Sequence, residues 1–312
     1  MAKIYTMGEL LVEIMRIEKD KPLDSTDIFK GPFPSGAPAI FISAAAQLGN
    51  HTKIWGGVGH DKFGDMLLKR LAGDGVDISC VNVSDTGATG AAFVSYDGSG
   101  EREFIFHLDN TAASDISFVE TADIPDFFHV MGCSLTINLP VKTQIEHACS
   151  YFSAAGAKIS FDPNIRPSLL RGRDIMSVAG QIIQCCSIFL PGFDELVLFA
   201  EGRTGLKDAA YFLLDRFPAL EIIHVKLGKK GSRIITRKID MDIPVYPIEK
   251  KYPIVDPTGA GDSFDAAFVS GIAAGMNLEE AARLAAKAGA INSTALGPMA
   301  GDIRGNIGRE LV

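Results

Sequence analysis

Asp256-Pro257-Thr258-Gly259-Ala260-Gly261-Asp262-Ser263 combines the residue types that phosphoryl transfer needs. Gly259, Ala260 and Gly261 leave the backbone bare, so successive N–H groups can approach an anion closely. A helix starting near Ser263 adds its unsatisfied donors and the positive end of its dipole. Pro257 disfavours helical geometry at Asp256, which keeps the turn ahead of the helix. Asp262 then stands as a fixed negative charge beside an anion site, and such a charge opposes binding unless it has a chemical role. General base catalysis supplies one, in which the carboxylate takes the proton of an acceptor hydroxyl while the N–H groups stabilise the transferring phosphoryl group. An isolated Gly-Asp-Ser is more simply a helix cap, and only the surrounding turn favours chemistry over capping.

Elements able to position this turn alternate along the chain. Short apolar runs predict strands over Ile4–Met7, Lys53–Trp55, His129–Met131, Lys158–Phe161, Ser187–Leu190 and Ile222–Leu227. Between them, helices are predicted over Ala39–Leu48, Gly64–Ala72, Val141–Ala155, Ile175–Cys185, Leu206–Phe217, Ser263–Ala274 and Leu278–Ile291, the last with Asn277 and Glu280 in capping-box spacing. This is the α/β pattern of a largely parallel sheet covered on both faces. Gly8-Glu9, Gly56-Gly57, Gly132, Asp162-Pro163-Asn164, Pro191-Gly192 and Gly228 are all expected at or beyond strand C-terminal ends, the edge where open parallel sheets bind ligands. Taken singly, each is an ordinary turn. Leu10–Ile17 and the two arms Ala91–Tyr96 and Glu101–Phe106, around Asp97-Gly98-Ser99-Gly100, predict a small β-sheet. It is either a lid that excludes water from a transfer reaction or a plain hairpin.

Composition narrows the class. A chain of 312 residues can bury the core of one large domain, and a net charge of −8 argues against a nucleic-acid surface. No apolar run approaches membrane-spanning length, and the N-terminus enters Lys3-Ile4-Tyr5-Thr6-Met7 without a signal-type segment, so a cytoplasmic protein is expected. Cys80, Cys133, Cys149, Cys185 and Cys186 lack zinc spacing and suit reduced thiols. There is no G-x-x-x-x-G-K-[ST] loop, and Lys62 stands where a dinucleotide fingerprint starting at Gly57 needs its third glycine.

Across nearly the whole chain these motifs resemble the ribokinase-like, or PfkB-type, carbohydrate kinases. Asp256-x-Thr258-Gly259-Ala260-Gly261-Asp262 is similar to that family's C-terminal signature and Ser35-Gly36-Ala37-Pro38-Ala39 to its N-terminal glycine motif. Val58-Gly59-x-Asp61-x-Phe63-Gly64 and Asp162-Pro163-Asn164-x-Arg166 lie between them in order. The resemblance implies one ribokinase-like domain over 1–312, a Rossmann-like sheet with a β-lid drawn from about 10–36 and 88–109, and ATP-dependent transfer to a sugar hydroxyl. It further implies Asp262 as base and Gly259, Ala260 and Gly261 as anion hole, with Lys226, Gly228, Gly231 and Asn292 bordering the nucleotide. Gly36, Ala37, Ile40, Asn164 and Arg166 would face the sugar. Magnesium would accompany ATP, organised through water by Glu195, and a monovalent cation such as K+ would sit near Asp256 and Thr258. A homodimer through the lid strands is also implied.

The pattern departs from the family at two places. Gly192-Phe193-Asp194-Glu195 stands where asparagine usually opens the run, and Ile40 replaces a common sugar-contacting asparagine. Without the resemblance, Glu195 is simply an acid in the first turn of a helix. Relatives acting on 2-keto-3-deoxygluconate tend to carry an arginine after the lid hairpin, where this chain has Phe106-His107-Leu108-Asp109-Asn110. Arg166 can substitute for it or be purely structural. The Pro34–Ile42 run is most similar to tagatose and fructose kinases, so a neutral ketohexose is expected, with sugar-acid phosphorylation as one alternative and a non-catalytic sugar-binding regulator as another. Glu13 is either an acceptor for sugar hydroxyls or a solvated strand acid.

Overall fold

The computed structural model describes residues 1–98, 102–165, 170 and 172–309. Its central sheet has nine strands. In chain order they are β1 (Lys3–Met7), β4 (His51–Gly59), β5 (Val76–Ser84), β8 (Phe127–Met131), β9 (Lys158–Asp162), β10 (Cys186–Phe189), β11 (Ile222–Lys226), β12 (Ser232–Ile235) and β13 (Asp240–Ile243). The spatial order is β13-β12-β11-β10-β9-β8-β1-β4-β5. From β11 through to β5 every pairing is parallel, and only the two pairings of β12, with β11 and with the edge strand β13, are antiparallel. Strand side chains alternate between two apolar layers, as a two-sided parallel sheet requires. Tyr5, Met7, Phe128 and Val130 meet helices 139–154, 175–185, 193–199 and 206–216 on one face. Ile4, Phe127 and Met131 meet helices 37–47, 62–74, 260–273 and 278–292 on the other.

A separate four-stranded sheet, β3-β2-β6-β7, is built from β2 (Leu11–Arg16), β3 (Phe29–Ser35), β6 (Gly90–Tyr96) and β7 (Arg102–His107). These strands fall within the two segments expected for a lid. The hairpin tip Ser99–Glu101 lies outside the described residues.

Several elements differ from expectation for identifiable reasons. β5 and β13 are half-exposed edge strands whose polar residues hide the apolar alternation. β3 contains Pro32 and Pro34, which argue against a strand in sequence but are tolerated at the rim of a sheet. Gly56-Gly57 do not follow a strand; they lie inside β4, where a Cβ on Gly57 would stand 2.2 Å from the Ala112 carbonyl oxygen. The last capping box is present, with Glu280 N–H donating to Asn277 Oδ1 at 2.9 Å and Asn277 N–H to Glu280 Oε2 at 3.2 Å.

Asp61 shows why the segment after β4 needs its carboxylate. Oδ1 accepts from Phe63 N at 3.0 Å and Gly64 N at 2.9 Å, capping helix 62–74. The same carboxylate accepts from the backbone N–H and the hydroxyl of Thr89, both at 2.8 Å, where β6 begins. Burial pushes this carboxyl up, but the bonds from Thr89, Gly64 and Phe63 outweigh it and hold the pKa below the usual range. Asp61→Ala is expected to cost about 2–3 kcal/mol in urea unfolding at neutral pH, from one cap and the charged bonds to Thr89. A depressed folded pKa contributes stability above the unfolded value and loses it as pH falls through the folded one. The gap between wild type and variant should therefore narrow below about pH 4.

Candidate active site

The C-terminal ends of β1, β9 and β11, the turn before helix 260–273 and one face of the four-stranded sheet line a cavity of about 220 Å³. That is below the roughly 300–1,000 Å³ of drug-sized sites and suits a single small polyol. Of the residues expected from sequence, Glu13, Gly36, Ala37, Ile40, Asn164, Glu195, Lys226, Thr258, Gly259, Gly261 and Asp262 line it. Ala260, Gly228, Gly231, Asn292 and Asp256 stand outside its lining, and Arg166 lies outside the described residues.

Helix 260–273 starts three residues earlier than expected because Gly259 caps it in the left-handed region, φ 78°. A Cβ on Gly259 would stand 2.2 Å from the Pro298 carbonyl oxygen, so both backbone angle and space demand glycine there. Ala260 N–H turns back onto the Pro257 carbonyl at 3.2 Å. Among the described residues, the Gly259 and Gly261 N–H groups take no such backbone partner, which narrows the bare donors from three residues to these two. Asp262 falls in the first helical turn, 8 % exposed, and the helix has no side-chain cap bond. Its Oδ1 instead accepts from Asn164 Nδ2 at 3.1 Å. Asn164 is held at φ 41°, a costly angle for a non-glycine residue and one that tends to persist at functional sites. Its N–H donates to Asp162 Oδ1 at 3.1 Å, and that Asx turn aims the amide at Asp262.

Beneath the turn lies a buried charge cluster. Lys226 Nζ donates to Asp162 Oδ2 at 2.8 Å and to Asp265 Oδ2 at 2.9 Å. Burial alone would lower the Lys226 pKa, but Asp162, Asp265 and Glu195 outweigh it and keep the ammonium charged. For Asp162 burial pushes up most strongly, but the Lys226 charge and the hydrogen bonds to Asp265 and Lys226 together outweigh it and hold the pKa down, so it stays ionised. Asp265, wholly buried, is pushed well above the usual carboxylate range, first by that burial. One ammonium thus bridges two buried carboxyl groups. The Nζ also lies 4.0 Å from where a Cβ on Gly261 would stand, so this cation sits at the edge of the bare donors. Glu195 accepts from Gly192 N–H and from Ile165 N–H, both at 2.7 Å, and is raised by burial first and by the charge of Asp162 second.

Asn292 is 1 % exposed, and its amide is spent on the Thr258 carbonyl at 2.8 Å and the Pro298 carbonyl at 3.1 Å. It braces the turn from behind. Gly228 and Gly231 shape the turn between β11 and β12, both at positive φ. Asp256 and Thr258 do come together, but Asp256 already accepts from Thr258 N–H at 2.9 Å, Gly297 N–H at 3.0 Å and the Tyr96 hydroxyl at 2.9 Å. Protein groups thus take three of the roughly four acceptor sites of this carboxylate, and the Thr258 hydroxyl contacts Tyr96.

Sequence reasoning gives no role to three further features of the site. Glu9, 5 % exposed, accepts from Ser134 Oγ and from Cys133 Sγ at 3.3 Å on the cavity wall. Arg102, Phe104, Phe106 and Leu108 line the cavity at every second position of β7 and its end. That period of two is visible in the sequence and is the signal that finds Arg102. Tyr96 reaches Asp256 from the end of β6, a contact across 160 residues that no local pattern announces.

Among the described residues no cluster of three or more His, Cys, Asp or Glu forms a direct metal cage. Glu195, on the cavity wall with its carboxylate held by two backbone N–H groups, fits a magnesium ion contacted through water. Also among the described residues, no helix is long and apolar enough to cross a membrane.

Comparison with known proteins agrees with this geometry. The pfkB family carbohydrate kinase description matches residues 3–303. Fructokinase-1 of Oryza sativa subsp. japonica is 31 % identical, over 94 % of this chain and 92 % of its own. The 2-dehydro-3-deoxygluconokinase of Bacillus subtilis (strain 168) is 29 % identical over 86 % and 82 %. Among solved structures, a putative Ribokinase II from E. coli in complex with ATP and Mg2+ superposes with a TM-score of 0.85 at 34 % identity, covering 97 % of this chain and 96 % of that one. Sequence, fold and site together make this chain a member of the pfkB family of carbohydrate kinases, an ATP-dependent sugar kinase with the ribokinase-like fold.

Proposed function

We propose that this kinase transfers the γ-phosphoryl group of ATP to a hydroxyl of a neutral ketohexose, tagatose- or fructose-like, with Asp262 as general base. The observation that carries the reading is one wall of the cavity. There the Asp262 carboxylate, aimed by Asn164, stands beside the bare Gly259 and Gly261 donors in the same cavity as Glu13. Asp262 takes the hydroxyl proton while the two N–H groups and Lys226 stabilise the charge on the transferring group. Glu13 is 3 % exposed with Oε2 accepting from Ser35 at 3.0 Å, which suits a fixed acceptor for sugar hydroxyls better than a solvated acid. Magnesium bound with ATP would neutralise phosphate charge, and Glu195 would orient its waters. Leu11, Ile40 and Leu108 supply apolar contact for the ring's C–H faces.

Arg102 on the lining favours a second reading, a sugar acid, because a carboxylate needs a cation or several donors. ADP release with a panel of ketoses, aldoses and aldonates separates the two. A ketohexose should have the highest kcat/KM, and Arg102→Ala should change its KM less than about threefold, since a neutral sugar offers no charge to pair. A preference of about tenfold for 2-keto-3-deoxygluconate, abolished by Arg102→Ala, would overturn the neutral-sugar reading. A homodimer through the lid belongs to the same proposal, supported by exposed Ile17, Ile28 and Ile105 on the lid segments, and sedimentation analysis tests it.

A further inference from the structure

We propose that Tyr96 is a positioning residue whose phenol fastens lid strand β6 to the anion turn through Asp256 and Thr258, so that lid closure and the geometry of Gly259 are set together. Tyr96 is the last residue of β6 and pairs with Arg102 of β7. It therefore belongs to the face that also carries Ala92 and lines the cavity. Its hydroxyl donates to Asp256 Oδ1 at 2.9 Å and contacts the Thr258 hydroxyl. With one proton on each oxygen, Thr258 donates to Tyr96 and Tyr96 donates to Asp256. Burial and the Asp256 charge push the phenol up, so it remains a donor at any working pH.

Asp256 passes the constraint on. The oxygen that takes the phenol also takes Thr258 N–H at 2.9 Å, and the other takes Gly297 N–H at 3.0 Å. Those bonds shape the two residues ahead of Gly259 and the loop beside Pro298, whose carbonyl packs against Gly259. The lid touches the same loop at a second strand, since a Cβ on Gly297 would stand 2.7 Å from Phe33 Cδ1 of β3. That contact is apolar and non-directional. The phenol supplies a directed bond from lid to turn, and a bond to a carboxylate is stronger than one between neutral groups.

The proposal rests on the sugar-kinase reading for its kinetic consequence and on geometry alone for its structural one. Tyr96→Phe keeps the ring and removes the bond. The sugar KM should rise about tenfold, because a lid closed for a smaller fraction of the time lowers apparent affinity in proportion, while the KM for ATP moves less than about twofold. Amide hydrogen exchange should accelerate both at 90–96 and at 256–262, although 160 residues separate the bonded groups. Thr258→Val, which removes the other hydroxyl, should shift the same constants in the same direction. A general loss of stability would raise exchange everywhere and would not single out one substrate. Unchanged sugar KM together with unchanged exchange at 256–262 would overturn the proposal. The exchange measurement needs no sugar, so its result stands even if the substrate assignment fails.

Discussion

Asp262→Asn is expected to bind sugar and ATP with affinities close to wild type and to turn over about 10³-fold more slowly, within the roughly 10²–10⁴ that a general base contributes. The substitution is isosteric, and the new amide oxygen can still accept from Asn164, so the wall of the cavity keeps its shape. What disappears is the ability to take the acceptor's proton. A helix-capping role predicts a different outcome, because replacing an acid in the first turn costs only about 0.3–1 kcal/mol of stability and leaves the rate alone. Calorimetric binding beside single-turnover ADP release separates the two. A variant with nearly full kcat would remove Asp262 as base and leave the anion turn without a catalytic partner.

Lys226→Met should cost about 3–5 kcal/mol of stability as well as activity. The ammonium is the compensating charge for Asp162, 2 % exposed, and the donor to Asp265, 0 % exposed. Methionine fills the space of the stem but leaves an ionised carboxylate buried without a cation. Desolvation then dominates and raises the Asp162 pKa in the folded variant. A raised folded pKa means that protonation favours the folded state, so the deficit should be largest at neutral pH and shrink towards about pH 5. Adding Asp162→Asn should recover part of the stability and none of the activity, because the cation beside Gly261 stays missing. Urea unfolding at neutral and acidic pH measures the first effect and ADP release the second. Equal stability of wild type and Lys226→Met would show that the cluster is not charge-compensated as its geometry implies.

These two residues are legible in the sequence to different degrees. Asp262 announces itself because a turn of small residues followed by a helix is a local arrangement, and Gly259, Gly261 and Asp262 fall within one short run of chain. Lys226 follows from family resemblance as a neighbour of the nucleotide, but its partner Asp265 reads only as part of a helix. Their pairing joins β11 to helix 260–273 across 39 residues, which no spacing rule reports. Among the elements, the buried strands are legible because two-sided burial writes continuous apolar runs. The edge strands β5 and β13 and the proline-bearing β3 are not, since exposure or a rim position frees them from that pattern.

The turn of small residues, the alternating α/β frame, the strand segments of the second sheet and the candidate base are written in the local sequence, because each depends on backbone geometry and periodicity within a few residues. Only the packed chain shows that the bare donors are Gly259 and Gly261, that Asn292 braces the turn, that Arg102 lines the cavity and that Tyr96 reaches the turn. Those outcomes depend on which groups folding leaves with a partner, and partners are chosen by the packing of distant strands rather than by their neighbours in the chain.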